Sequence, residues 1–276
     1  MIETVALSKR YRRTVALRDV TLTIPDGGIT ALVGPNGSGK STLMKLCIGF
    51  ERPTSGRLQV CGVDPVRDRR AAVATVGYVP QSPSLYRDLT IREHIALAGG
   101  IRPGFDQAHA RARLAALDLG LQWRVGDLSG GQAAQVSLAL ALGTRAPLLL
   151  LDEPLASLDP LARRDFLRVA RQAVAEQGAS IVLSSHVISE IEDNADRLLV
   201  LVEGRVVFDD TVAGAVAGHR VIETASGHGG AGIVGTFPGR GDLRHVLVRA
   251  TDPALGRAAD LEEVVLGYLA ASRAAA

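Results

Sequence analysis

The chain has 276 residues, 31 basic against 29 acidic side chains and a hydrophobic fraction of 47%. Balanced charge with this much apolar material excludes a disordered tail protein, argues against a large nucleic-acid footprint, and suits one large domain or one domain with a small appendage. Two cysteines, Cys47 and Cys61, make no metal cluster, the start of the chain lacks signal-peptide features, and no uncharged apolar run approaches the ~18 residues that span a bilayer, so a soluble chain kept in a reducing compartment is expected.

The first 30 residues alternate apolar and polar positions, as in Glu3 to Leu7 and Val20 to Ile24, which reads as an antiparallel β region. Ile29 to Val33 is a short buried-strand pattern, followed by a glycine-rich turn and a helical segment from Ser41 to Ile48. A second antiparallel stretch around Arg57 to Val60 precedes a core strand, Val76 to Val79, that ends at Pro80. Between about Ser84 and Thr144 the spacing of Ile91, Ile95, Leu97, Ala110, Leu114 and Leu117 turns helical and predicts an inserted helical subdomain. Strands at Leu148 to Leu151 and Ser180 to Ser184 then bracket a helix from Pro160 to Glu176, a βαβ unit with a right-handed crossover. Arg197 to Val202 and Arg205 to Phe208, joined by Glu203-Gly204, read as a closing hairpin, with a boundary near residue 211. Residues 212–276 carry a glycine-rich stretch from Gly227 to Gly232, a strand at His245 to Arg249 and an amphipathic helix at Leu261 to Leu269, a small α+β appendage.

Gly34-Pro35-Asn36-Gly37-Ser38-Gly39-Lys40-Ser41 fits the phosphate-binding loop and lies where that loop belongs, between a strand and a helix. With glycine at 30 of 276 positions and lysine only at 9, 40 and 45, such a match arises by chance about 0.004 times in a chain of this length. Glycines let the backbone wrap a polyphosphate, the helix N-terminus favours its charge, Lys40 reaches the β and γ phosphates, and Ser41 can place its hydroxyl on Mg²⁺. Leu148 to Leu151 runs into Asp152 and Glu153, two acids at the end of a buried strand: Asp152 suits Mg²⁺ held through its water shell, and Glu153 suits polarising a water for attack on the γ-phosphate. In Leu128-Ser129-Gly130-Gly131-Gln132, Ser129 can cap a helix while two glycines admit an anion, a second phosphate site that could serve the same nucleotide in a head-to-tail dimer.

Gly34 to Thr42, Gln81, Leu128 to Gln132, Leu148 to Glu153, Ser157-Leu158-Asp159 and His186 stand in the order of the ATP-binding cassette, and over residues 2–211 the chain resembles an ABC transporter ATPase subunit. The resemblance implies an α/β P-loop NTPase core with an N-terminal antiparallel β subdomain, the inserted helical subdomain at about 84–144 and the appendage from 212 to 276. It implies ATP and Mg²⁺ as ligands, with Gly34, Asn36, Gly37, Ser38, Gly39, Lys40, Ser41 and Thr42 around the phosphates. Tyr11 looks like the aromatic residue that stacks on adenine, or else a tyrosine shielding a strand edge. Gln81 looks like the residue that senses Mg²⁺ and the attacking water, His186 like the switch histidine at the γ-phosphate, and Asp159 like a dimer-contact aspartate, although a helix cap before Pro160 explains Asp159 equally well. Ser129, Gly130, Gly131 and Gln132 would close on the partner's nucleotide. After them Ala133-Ala134-Gln135 stands where many family members carry a basic residue, which puts the charge made there in doubt.

A cassette of this kind works as a homodimer or paralogue dimer on a separate membrane permease, at the inner face of the cell membrane. Ser84 to Glu93 and Ser184 to Glu192 look export-type, and an importer is the alternative. A soluble cassette acting on DNA or ribosomes is a further reading; the sequence has neither a long coiled coil between the two motifs nor a second cassette, and no nucleic acid is expected.

Overall fold

The computed structural model describes residues 1–82, 84–224, 232–239 and 243–274, so most of the glycine-rich stretch singled out above lies outside the described residues. The chain opens with β1 (Ile2–Tyr11) and β2 (Thr14–Ile24), an antiparallel pair, and continues through β3 (Ile29–Val33), α1 (Lys40–Cys47), β4 (Ser55–Val60), α2 (Arg69–Thr75) and β5 (Val76–Val79). The inserted segment holds α3 (Ile91–Ile101), α4 (Gln107–Ala115) and α5 (Gly130–Gly143). Then come β6 (Leu148–Asp152), α6 (Pro160–Gln177), β7 (Ser180–Ser185), the short α7 (Ser189–Glu192), β8 (Arg197–Val202) and β9 (Arg205–Thr211). The last part contains α8 (Val212–Ala217), β10 (His219–Thr224), β11 (Ile233–Pro238), β12 (Arg244–Arg249), the two-residue β13 (Arg257–Ala258) and α9 (Leu261–Ala274).

Six strands form the central sheet in the order β5-β6-β7-β3-β8-β9, parallel up to β8 and closed by the antiparallel β9. β3, β6 and β7 are buried along their whole length, as strands of a sheet covered on both faces must be. Successive side chains point to opposite faces. Leu148, Leu150, Val182, Leu199 and Leu201 therefore enter a core with Leu43 and Met44 of α1 and with Ile2, Leu7 and Leu17 of the antiparallel sheet β2-β1-β4. Leu149, Leu151, Ile181, Leu183, Leu198 and Val200 enter the opposite core, against Leu138 of α5 and the fully buried Phe166 of α6. The β8–β9 hairpin turns through Glu203 and Gly204 at φ 48° and 78°, the left-handed pair that a two-residue turn between twisted strands needs.

The helical segment has its own small core of Ile91, Ile95, Ala110, Leu114, Val136 and Ala139. Thr90 and Glu93 form a reciprocal cap that starts α3. Leu97, expected in this core from its spacing, is instead exposed on the wall of a cleft facing the central sheet. Arg113 joins the subdomain to the rest: it is buried, and its guanidinium donates to Gln135 Oε1 of α5 at 2.9 Å and to Asp165 Oδ2 of α6 at 2.6 Å.

In the last part four antiparallel strands, ordered β11-β12-β10-β13, lie against α9. Val221, Phe237, Leu247, Val264, Val265 and Tyr268 share one continuous apolar cluster with Phe208 and Leu198, so the hydrophobic core runs across residue 211 without a break. The join carries a polar chain as well: Arg249 donates to the Tyr268 hydroxyl (2.6 Å), which meets His219 Nε2 at 3.2 Å, and His219 Nδ1 meets the Ala215 carbonyl at 2.7 Å. Burial pushes the pKa of His219 down and favours the neutral ring. Among the described residues no helix is long and apolar enough to cross a membrane. Leu247→Ala should cost about 2–5 kcal/mol, and because the core is continuous, the loss should move the denaturant midpoint reported by the single tryptophan, Trp123 in the distant helical subdomain, together with the midpoint seen by circular dichroism.

Candidate functional site

Residues 34–39 turn from the end of β3 into α1, one residue earlier than the sequence suggested, because Gly39 at φ 110° caps the helix and Lys40 begins it. The turn is tight. A Cβ on Gly34 would collide with the Leu201 carbonyl of β8, and one on Gly39 would stand 2.5 Å from the Ala16 carbonyl of β2. Lys40 is 5% exposed, and its Nζ donates to the carbonyls of Gly34 (2.7 Å) and Pro35 (3.3 Å). Ser38 Oγ is buried with no hydrogen-bond partner, a cost of the kind found where a polar ligand completes the site. Asn36 and Gly37 are exposed at the tip, and Ser41 and Thr42 are half-buried in the first turn of α1.

Parallel pairing brings the two acids to the same edge. Val33 at the end of β3 lies opposite Ser185 of β7, and Ser184 lies opposite Asp152 of β6. Asp152 is 2% exposed; its Oδ1 accepts from Ser184 Oγ at 2.9 Å and its Oδ2 from the Tyr78 hydroxyl at 3.4 Å. Burial, and then the neighbouring Asp152 carboxylate, push the Tyr78 pKa above the usual phenol range. Glu153 leaves the strand at φ 46°, held by a bond from its N–H to Ser184 Oγ at 2.7 Å.

Glu153, 9% exposed, is where the expected residues converge. Gln81 Nε2 donates to its Oε2 at 3.2 Å, His186 Nδ1 lies 3.5 Å from the same oxygen, and Lys40 Nζ lies 3.5 Å from Oε1. A cleft of about 850 Å³ between the central sheet and the helical subdomain is lined by Ser41, Tyr78, Gln81 and Asp152 at its polar end. Those side chains offer oxygen donors of the kind Mg²⁺ takes when phosphates and water fill its remaining positions. Among the described residues no three His, Cys, Asp or Glu side chains cluster as a cage for a metal, so these residues fit a magnesium ion shared with a phosphate ligand rather than a closed protein site.

Other expected residues stand apart from Glu153. Ser129 caps α5, accepting from Gln132 N at 3.2 Å while Gln132 Oε1 accepts from Ser129 N at 2.9 Å. Gly130 and Gly131 pack against Ser157 and Leu158 of the same chain. Asp159 caps α6 through Oδ1, which accepts from the N–H groups of Leu161 and Ala162, the alternative weighed beside a dimer contact. Tyr11 sits at the end of β1, opposite Thr14, with Lys9 Nζ 4.7 Å from its ring centroid; further along β2, Ala16 and Leu17 lie against Gly39 of the phosphate loop. Sequence reasoning missed Ser184, Tyr78 and Arg113. A serine inside a fully buried strand was the available signal for the first, whereas Arg113 sits in an Ala-Arg-Ala-Arg run with nothing to mark it.

A glycine-cradled loop at the carboxyl edge of a parallel sheet, with two acids on a nearby strand and a separate helical subdomain, defines a nucleotide-binding cassette of the P-loop class. The family model described as ABC transporter matches residues 17–156, and the chain belongs to that family. It is 37% identical over 213 residues to the Fe(3+) ions import ATP-binding protein FbpC of Pseudomonas fluorescens, covering 75% of this chain and 60% of that protein. It is 38% identical over 218 residues to the sulfate/thiosulfate import ATP-binding protein CysA of Yersinia pseudotuberculosis, covering 74% and 59%. The chain thus spans about three fifths of the length of these relatives. Among solved structures, an ATP-binding subunit of an ABC transporter superimposes with a TM-score of 0.72 at 31% identity, over 78% of this chain and 91% of that one. A dimeric ATP-binding cassette in a post-hydrolysis state, bound to ADP and Pi, gives 0.70 at 25% identity, over 76% and 98%. Both named relatives are import ATP-binding proteins, whereas the segments 84–93 and 184–192 read as export-type. Those segments are short, and the side chains of Ser189 and Glu190 in the second lie outside the described set. Gly34→Ala should leave the circular dichroism spectrum in place and weaken binding of a fluorescent ATP analogue by about tenfold or more, because the added methyl displaces the loop from β8.

Proposed function

We propose that residues 1–211 are the ATP-hydrolysing motor of an importer, with residues 212–276 packed on it as a brace, and that the motor drives a separate membrane permease. The meeting of Lys40, Gln81 and His186 at Glu153, two strands away from the phosphate loop, carries this reading. Gly34 to Thr42 cradle the triphosphate through backbone N–H groups and the Lys40 charge, and Tyr11 stacks on the adenine. Ser41, Gln81 and Asp152 hold Mg²⁺, which supplies positive charge to the phosphates. Glu153 polarises the attacking water, Gln81 orients it, and His186 meets the γ-phosphate. Ser129 to Gln132, set on a capped helix away from Glu153, complete the site of a second cassette, and Asp159 shapes the loop between the two copies.

The import direction rests on the two relatives, whose matches run over more than 200 residues, against two short export-like segments. The apolar end of the large cleft, with Phe50, Tyr86 and Ile101 exposed around it, receives the permease, and the chain works at the inner face of the cell membrane. Selection of cargo belongs to the permease; ferric iron and sulfate, named for the relatives, are the first to try.

Tagged Glu153→Gln chain, purified from membranes, should hydrolyse ATP at least about 100-fold more slowly, dimerise when ATP is added, and bring a multi-span membrane protein with it. Undiminished turnover by a monomer, or copurification with ribosomes or DNA, contradicts the reading. Reconstituting the unaltered chain with that permease in vesicles, and following labelled cargo toward or away from the ATP side, decides the direction.

A further inference from the structure

We infer that Ser184 is a positioning residue that aims both acids of the site: its hydroxyl fixes the carboxylate of Asp152 and the backbone turn that delivers Glu153. This rests on the ATPase reading above and deepens it. Ser184 is fully buried in the middle of the central sheet, between β6 and β3, where an unpaired hydroxyl is costly and an apolar side chain would serve packing alone. Both of its bonds go to the acid pair. It accepts from Glu153 N–H at 2.7 Å and gives its single proton to Asp152 Oδ1 at 2.9 Å.

The two bonds constrain each other. The Glu153 N–H occupies a lone pair of Oγ, so the hydroxyl proton is left to point across the ladder at Asp152, its register partner. The Asp152 carboxylate is thereby oriented from Oδ1, with the longer contact from Tyr78 on Oδ2. The other bond anchors the chain where it turns into the left-handed region at Glu153, φ 46°, a conformation that a non-glycine residue holds only when its surroundings impose it. From there the Glu153 side chain reaches Gln81, His186 and Lys40. Loss of the hydroxyl therefore loosens the magnesium-side acid and the water-side acid together, and leaves the phosphate loop, built on β3, β8 and α1, as it was.

Binding of a fluorescent ATP analogue tests this in EDTA and across a Mg²⁺ titration. Ser184→Ala should bind the analogue in EDTA as the unaltered chain does, require about 10- to 100-fold more Mg²⁺ for half-maximal tightening, and hydrolyse ATP more slowly; Ser184→Thr, which keeps the hydroxyl, should recover the Mg²⁺ response. In an Asp152→Ala background the same Ser184→Ala change should no longer affect the titration, a comparison that does not depend on threonine fitting the strand. A Mg²⁺ titration of Ser184→Ala that matches the unaltered chain, an equal loss of affinity in EDTA, or a full further effect in the Asp152→Ala background overturns the inference. An unaltered chain that ignores the analogue altogether overturns the ATPase reading beneath it.

Discussion

The arrangement depends on register. β3, β7 and β6 lie side by side and parallel, with Val33 opposite Ser185 and Ser184 opposite Asp152, so three chain segments far apart in sequence end at one edge. A slip of one residue in β6 would turn Leu149 and Leu151 into the core that takes Leu148 and Leu150, and would swing Asp152 to the wrong face of the sheet. Because β6 is a run of leucines, the slip exchanges like for like along most of its length, and its cost falls on Asp152, whose carboxylate would take the place of the fully buried Leu151 in the apolar core on the Phe166 side. An apolar core thus fixes a position that chemistry uses at the strand end.

At that edge the groups are held by one another. Lys40 is buried against carbonyl oxygens, Asp152 accepts from two hydroxyls, and Glu153 stands among an amide, an imidazole and an ammonium group. Removing a single member leaves the rest with unsatisfied or misdirected polar atoms in a place that water enters poorly, which makes the site a unit rather than a sum. The large cleft reaches this unit from the helical side, and Gln81 stands on both the cleft wall and the Glu153 cluster. Movement of the helical subdomain has a short route to the acids.

What the sequence made legible was local. The phosphate loop is eight consecutive residues, the buried strands are short apolar runs, and Asp159 before Pro160 announces a cap, so each could be read without knowing its neighbours in space. Gln81 and His186 became readable through their order along the chain. The bonds of Ser184 to residues 31 and 32 positions away, and of Arg113 to an acid 52 positions away, exist only after the sheet and the helices have assembled, and no spacing encodes them. Leu97 shows the opposite failure: a helical period places it inward, yet the helix it belongs to borders a cleft.

The apolar cluster that crosses residue 211 has a practical consequence. Cutting the chain there to obtain a minimal cassette would strip Phe208 and Leu198 of the aromatic and aliphatic cover that Tyr268, Val221 and Leu247 provide. Such a fragment would present a greasy flank to solvent and stick to its own kind, so insolubility after truncation would report on lost shielding and not on any role of the excised piece in nucleotide turnover.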